Sequence, residues 1–131
     1  MADRVNEWLD RYFAAWASND PVAVGALFAR DATYAVSPFA EPWRGRDEIV
    51  RRWTAGNGEL RHHEHTVLAA GAGSGVAHWR VVVATGAGGK LEMDGMLLLA
   101  FNDDGECTDH REWYMSRTLD EPTPAPQPEM A

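Results

Sequence analysis

Apolar residues near the start of the chain recur every three or four positions, the spacing of one face of a helix. The spacing predicts a helix over residues 4–17, whose apolar face contains Val5, Trp8, Leu9, Tyr12, Phe13 and Trp16. Asp20 then provides an N-cap and Pro21 a first helical residue. They predict a second, short helix that runs through Leu27 and Phe28.

The next segment predicts one strand, one loop and one helix. "ATYAV" at 32–36 favours a strand, and "SPFAEPW" contains two prolines and favours a loop. "RDEIVRRW" follows Gly45 and predicts a third helix. Asp47 and Glu48 lie in its first turn, where negative charge suits the helix dipole.

After "AGNG" the pattern changes to that of strands separated by glycine-rich or Asp-Gly turns. The predicted strands are residues 61–70, 75–85, 90–101 and 107–117. The sequence therefore predicts a single α+β domain over residues 1–118, with helices on one side of a mainly antiparallel sheet. The proline-rich residues 119–131 predict a disordered or extended tail.

Composition restricts the partners. The chain has 131 residues and a formal charge of −8, so we expect neither nucleic acid nor an anionic membrane to bind it. Cys107 is the single cysteine and cannot form an internal disulfide. The N-terminus lacks the apolar stretch of a signal peptide, and no segment is long enough to span a membrane. These features favour a cytoplasmic protein.

Two motifs suggest binding sites on first inspection. "GAGSGVAHW" is rich in glycine, but it leads into a strand and lacks the spacing of a phosphate loop, so it predicts a hairpin. "RHHEH" at 61–65 contains three histidines and a glutamate. On a strand only alternate residues share a face, which leaves two ligands at most. A polar edge strand is the better prediction, and we expect no metal.

The stretch "DHREWYM" at 109–115 has no aliphatic face. Asp109, Arg111, Trp113 and Met115 share one side of the predicted strand, and His110, Glu112 and Tyr114 share the other. Periodicity leaves both orientations open.

From about Trp8 to Arg117 the sequence resembles the nuclear transport factor two superfamily, which includes SnoaL-like polyketide cyclases and ketosteroid isomerase. The strings that carry the resemblance are "RYFAAWASNDPVAVGALFARDATY", "RGRDEIVRRW", "VAHWRV" and "LLLAFNDDGECTDHREWY". The resemblance implies a cone-shaped barrel, in which three N-terminal helices pack on a strongly curved, mixed but mainly antiparallel sheet around a pocket.

The resemblance also implies which residues face that pocket. His110, Glu112 and Tyr114 would point inward from the last strand. Tyr12 matches the isomerase tyrosine that donates a hydrogen bond to the substrate oxyanion. The implied pocket wall comprises Trp16, Trp53, His65, Trp79, Val81, Val83, Leu97, Leu99 and Tyr114.

The isomerase aspartates are replaced here, the base by Ala35-Val36 and the second near Leu97. Glu112 and His110 are the available acid and base, with Tyr12 as a donor. We therefore expect a cofactor-independent isomerase, cyclase, dehydratase or hydrolase acting on a small hydrophobic molecule. The alternatives are a binding module without turnover and a protein-interaction domain.

If His110 and Glu112 face inward, the opposite side of the sheet presents an apolar patch edged by charges. Its predicted members are His78, Arg80, Met96, Leu98, Asp109, Arg111, Trp113 and Met115. Such a patch is typical of an interface, and family members commonly dimerise through this sheet. We expect a homodimer, with Asp109 or Arg111 pairing across the twofold axis. The alternative is a tail that folds back over the patch.

Overall fold

The computed structural model describes residues 2–56, 58–86 and 88–119. Within these ranges the chain forms three helices and six strands. In chain order they are α1 (Ala2–Ser18), α2 (Pro21–Gly25), β1 (Phe28–Ala35), β2 (Trp43–Arg44), α3 (Arg46–Gly56), β3 (Glu59–Gly71), β4 (Ser74–Ala84), β5 (Lys90–Phe101) and β6 (Cys107–Leu119). None of the described helices is both long and apolar enough to cross a membrane.

The six strands form one curved sheet in the order β2-β1-β6-β5-β4-β3. Strands β3 to β6 make an antiparallel meander, and β2 is antiparallel to β1. Only the β1–β6 pairing is parallel among the described strands. The prediction of a mixed, mainly antiparallel sheet with N-terminal helices is confirmed.

The predicted second helix is wrong at its C-terminal end. Helix α2 stops at Gly25, and Phe28 already belongs to β1. Tertiary contacts override the local helical pattern: Phe28 pairs with Cys107 of β6, while the Leu27 carbonyl accepts hydrogen bonds from the Cys107 amide and the Trp8 indole. The two-residue strand β2 was not predicted and pairs with Thr33 and Tyr34.

The core lies between the concave side of the sheet and the helices. The apolar face of α1 is buried as its spacing predicts, and α3 adds Ile49 and Trp53. Strands β4 and β5 contribute alternate buried residues: Ala77, Trp79, Val81, Val83, Leu97 and Leu99. This arrangement leaves the core rich in aromatic rings.

The C-terminal boundary of the domain differs slightly from the prediction. Leu119, assigned to the tail, is the last residue of β6 and pairs with Lys90 of β5. The predicted disordered or extended tail otherwise falls on residues 120–131, which lie outside the described residues.

Candidate active site

Strand β6 directs His110 and Glu112 into the core. His110 is completely buried and Glu112 is 7% exposed, whereas Arg111, Trp113 and Met115 on the opposite side are exposed. The parallel contact with β1 sets this orientation, because Tyr34 lies opposite His110 in the register and Ala35 lies opposite Arg111. A histidine and a glutamate therefore occupy positions where a core would ordinarily place aliphatic residues.

Tyr34 is the centre of the buried polar network. Its hydroxyl donates to Oε1 of Glu112 at 3.0 Å, lies 2.8 Å from the hydroxyl of Tyr12, and accepts from Nε1 of Trp53 at 3.2 Å. A tyrosine has a single hydroxyl proton, and Tyr34 directs it to Glu112. Tyr12 must then donate to Tyr34. The result is a chain of donors that runs from Tyr12 through Tyr34 to the carboxyl group.

Burial keeps Glu112 protonated at neutral pH. Removing the carboxylate from water raises the pKa of Glu112 to about 8, although the hydrogen bond from Tyr34 acts in the opposite direction. Burial, reinforced by the nearby Glu112, also raises the pKa of Tyr12 and of Tyr34 above the ordinary tyrosine value. All three groups are therefore neutral, and the site contains a carboxylic acid that can release a proton.

His110 is a neutral imidazole in an aromatic stack. Its ring lies parallel to that of Tyr34, with centroids 4.0 Å apart and an interplanar angle of 6°. Burial lowers the pKa of His110 to about 3. Within the described chain neither ring nitrogen has a hydrogen-bond partner. Nδ1 is 3.8 Å from Oε1 of Glu112, and since both groups are neutral they do not form an ion pair.

The residues predicted to form the pocket wall are partly assembled around this network. Trp16, Trp53, Trp79, Val81, Leu97 and Leu99 are buried in the same core as Tyr12. Trp16 and Trp53 contact each other edge to face at 5.5 Å, and Trp53 contacts Tyr12 at 5.8 Å. The indole nitrogen of Trp79 is buried without a hydrogen-bond partner in the described residues.

Tyr114 and His65 lie away from the buried network. Tyr114 shares the side of β6 that carries Glu112 and contacts Trp79 at 5.8 Å, but it is 40% exposed at the open end of the sheet. It is a rim residue. His65 stacks on Phe13 at 5.5 Å, and its Nε2 is 3.6 Å from Asp10. It packs on α1, and burial lowers its pKa.

The "RHHEH" motif occupies the edge strand β3. His62 and Glu64 form an exposed pair at 2.8 Å, while His63 stacks on Phe13 at 4.9 Å. No three histidine, cysteine or acidic side chains come together as a possible metal site in the ranges that the structure describes. The motif is thus divided between solvent and the surface of α1.

An opening to solvent lies beside Glu112, at the point where β6 no longer pairs with β1. The pairing with β1 ends at Ala35 and Arg111, after which the chain turns away through residues 36–42. This departure opens a groove of about 630 Å³ beside Glu112, lined by Val36, Ser37, Pro38, Phe39, Asp94, Gly95, Glu112, Trp113, Tyr114 and Met115. The carboxyl group therefore lies at the boundary between the aromatic core and an open groove.

Sequence reasoning missed Tyr34. One signal was present, because Ala32, Tyr34 and Val36 alternate with the more polar Asp31 and Thr33 and thus predict which side of β1 faces inward. Nothing local indicates its partner, since Tyr34 and Glu112 are 78 positions apart.

The sequence matches the SnoaL-like domain over residues 9–110. The chain belongs to the SnoaL-like family. The match ends at His110, so Glu112 lies two positions beyond it. No protein of curated function matches the chain.

Among solved structures, one similar to this SnoaL-like chain is SalBIII, described as an "epoxide hydrolase/cyclase-like enzyme" with a role in pyran ring formation in the polyether salinomycin. It is 15% identical, with a TM-score of 0.76 over 89% of this chain and 96% of SalBIII. At that identity the similarity establishes the fold, and it confirms the cone-shaped α+β architecture.

Proposed function

We propose that this SnoaL-like protein is a cofactor-independent acid–base enzyme, in which protonated Glu112 donates a proton to an oxygen atom of a small hydrophobic substrate. The observation that carries the proposal is a buried carboxyl group with a pKa of about 8, hydrogen-bonded by Tyr34 and adjoining an open groove. A pKa near the working pH is what an efficient general acid requires.

The network around Glu112 supports proton release. When the carboxyl loses its proton, the hydrogen bond from Tyr34 strengthens because the acceptor becomes charged. Tyr12 and Trp53 both donate to the Tyr34 oxygen and polarise its hydroxyl in the same direction. These donors are already oriented in a dry environment, so they stabilise the developing charge without reorganisation. Tyr12 therefore acts through Tyr34.

The reaction class that fits this arrangement is the opening of a strained or activated C–O bond. Glu112 protonates the leaving oxygen, a hydroxyl group of the same substrate attacks the carbon as the C–O bond breaks, and the proton of that hydroxyl restores the carboxyl group. An epoxy alcohol would become a cyclic ether with no net loss of atoms. The similarity in fold to SalBIII supports testing this class first.

The test is turnover of a panel of uncharged epoxy alcohols, followed by chromatography of the cyclic products. Glu112→Gln should reduce the rate by about two to four orders of magnitude, because the amide has no transferable proton. Glu59→Gln is the matched control, since Glu59 is an exposed residue on β3 and should leave the rate unchanged. A Glu112→Gln rate equal to wild type would remove Glu112 from the mechanism.

A binding module without turnover is the competing function. Its distinguishing result is the absence of any product from the wild-type protein, together with saturable binding of the same epoxy alcohols. That outcome would contradict the enzymatic proposal.

A further inference from the structure

Exposed apolar side chains are concentrated on one groove. Seven large hydrophobic side chains are exposed in the described part of the chain, and four of them, Phe39, Trp113, Tyr114 and Met115, line the groove beside Glu112. Phe39 and Met115 are the most exposed of the seven, at 97% and 82%. Single exposed apolar residues are ordinary, but a cluster around one opening indicates a binding surface.

The apolar rim is continuous with the reactive carboxyl. Glu112 and Gly95 belong to the lining of the groove. Phe39 lies in a turn in which the Ser37 hydroxyl accepts a hydrogen bond from the Phe39 amide at 3.1 Å. A molecule that approaches Glu112 through this groove therefore passes along the rim. The groove volume of about 630 Å³ is within the range of small-molecule sites.

The charges of the groove select against anions. Among the described residues that line it, Asp94 is the charged acidic side chain, Glu112 is neutral, and none is a lysine, arginine or histidine. Arg44 and Arg111 line the adjoining opening, which Glu112 also borders. Asp94 lies 2.7 Å from His78 on the outer side of the sheet. A carboxylate or phosphate on a molecule bound against Phe39, Tyr114 and Met115 would meet no positive charge in the described lining of this groove, and the net charge of −8 repels it further.

We propose that the groove is a subsite for the hydrocarbon part of the substrate, so that the substrate is an uncharged, elongated amphiphile. Its oxygen-bearing end reaches Glu112, and its apolar segment lies against Phe39, Tyr114 and Met115. The inference rests on the proposed function for the position of the reacting end. It adds the size, polarity and charge of the remainder of the molecule.

The experiment is a titration of the ¹⁵N-labelled protein, followed by NMR, with straight-chain 1-alkanols from butanol to octanol and with carboxylates of the same lengths. The alcohols should shift the amide signals of Val36, Ser37, Phe39 and residues 112–115. Affinity should rise about threefold to fourfold per methylene, the increment expected for burying a CH₂ group. The carboxylates should bind at least tenfold more weakly than the alcohols of equal length.

Two variants locate the site. Phe39→Ser and Met115→Ser should each weaken octanol binding severalfold and together at least tenfold. The matched control is Leu68→Ser, which removes an exposed apolar residue from β3, at the other edge of the sheet, and should leave binding within twofold. Because all three side chains are exposed, the variants should keep the wild-type amide spectrum elsewhere.

Three results would overturn the subsite: no dependence on chain length, equal binding of carboxylates, or octanol binding that survives the double substitution. A fourth is a dimer that Phe39→Ser alone dissolves, since Phe39 lies outside the outer sheet patch and a second copy would then be the occupant of the groove. Failure here is separable from failure of the proposed function. Octanol binding does not depend on proton transfer by Glu112. The effect of Glu112→Gln on the rate does not depend on where the apolar segment of the substrate binds.

Discussion

Glu112 is held between two opposing effects. Burial favours the neutral carboxylic acid, and the hydrogen bond from Tyr34 favours the carboxylate. Burial is the larger effect, since it leaves the pKa at about 8 against an ordinary value of 4.5. The acid form therefore predominates at neutral pH. The hydrogen bond keeps the proton available, because without it the acid would be weaker still.

Tyr34→Phe should therefore raise the pKa of Glu112 further, since it removes the one hydrogen bond that stabilises the carboxylate. The measurement is the pH dependence of the Glu112 side-chain ¹³C signal. Tyr12→Phe is the comparison variant, because it removes a donor to Tyr34 but leaves the Tyr34–Glu112 bond in place, and it should raise the pKa of Glu112 by less than Tyr34→Phe does. A Tyr34→Phe midpoint equal to or below that of wild type would contradict the proposed arrangement.

The same pKa shifts predict how stability depends on pH. Glu112 retains its proton in the folded state up to about pH 8 but loses it near 4.5 when unfolded, so stability falls as pH rises between these values. His110 has the opposite effect. It is protonated only in the unfolded state between about pH 3 and 6.5, so it makes stability rise with pH there.

Denaturant unfolding of wild type and Glu112→Gln from pH 5 to 8 isolates the first effect. Wild type should lose stability relative to the variant as pH rises, by at most about 1 kcal/mol per pH unit and most steeply near the middle of this range. If the free energies of unfolding of the two proteins changed with pH in parallel, Glu112 would have the same pKa in the folded and the unfolded state.

At the scale of elements, the close approach of β5 and β6 forms the rim of the groove. Gly95 pairs with Tyr114, and a Cβ atom at Gly95 would lie 2.0 Å from the Trp113 carbonyl oxygen and 2.6 Å from Cβ of Tyr114. Both contacts involve atoms fixed by the β6 backbone. Glycine is therefore required where the curved strands come together beside Glu112.

Gly95→Ala should destabilise the protein by about 1–3 kcal/mol, the usual range for overpacking, because β6 must shift to admit the methyl group. The matched control is Gly71→Ala at the end of β3, where the nearest atom to an added Cβ is 3.6 Å away. Urea unfolding of both variants measures the difference. A Gly95→Ala protein as stable as the control would contradict the close approach.

The elements followed from local signals in the sequence, whereas the site depended on distant contacts. The apolar spacing of α1 and the turn residues between β3 and β6 are local signals, and they are sufficient to predict that helix and those four strands. The end of α2 was mispredicted because Phe28 joins β6, which is almost eighty positions away. Tyr34 was missed for the same reason. Tyr114 points to the same side of β6 as Glu112, as the alternation along the strand predicts. The alternation does not show that β6 no longer pairs with β1 at Tyr114, which leaves this side chain exposed.

At the scale of the molecule, the outer side of the sheet has two different regions. Arg80 and Arg117 both contact Glu92, and Arg80 also binds Glu64, which makes a charged ladder across four strands. The other region exposes Leu98, Trp113 and Met115. The patch predicted from the sequence is therefore smaller than expected, since Arg80 is engaged within the chain.

The charges expected to pair across a dimer axis already have partners within the chain. Arg111 binds Asp109 at 2.9 Å, and Asp109 also accepts a hydrogen bond from Thr33. The homodimer remains a prediction, now centred on Leu98, Trp113 and Met115. The alternative, a covering tail, concerns residues outside the described ranges.

Sedimentation at micromolar concentration tests this prediction. We expect a species of twice 14.5 kDa for wild type and a monomer for Leu98→Lys, because a buried lysine without a partner opposes association. Val22→Lys provides the matched control, since Val22 is an exposed residue of α2, away from the outer side of the sheet, and should leave the dimer intact. A wild-type monomer would end the proposal.

The protonation state of Glu112 is the central claim, and ¹³C NMR of the glutamate side-chain carboxyl groups measures it most directly. The Glu112 signal is assigned by its absence from the Glu112→Gln spectrum and is followed from pH 3 to 10. The site described above predicts a midpoint near pH 8. A midpoint near the ordinary value of 4.5 would show a carboxylate at neutral pH and would contradict both the dry aromatic site and Glu112 as its acid.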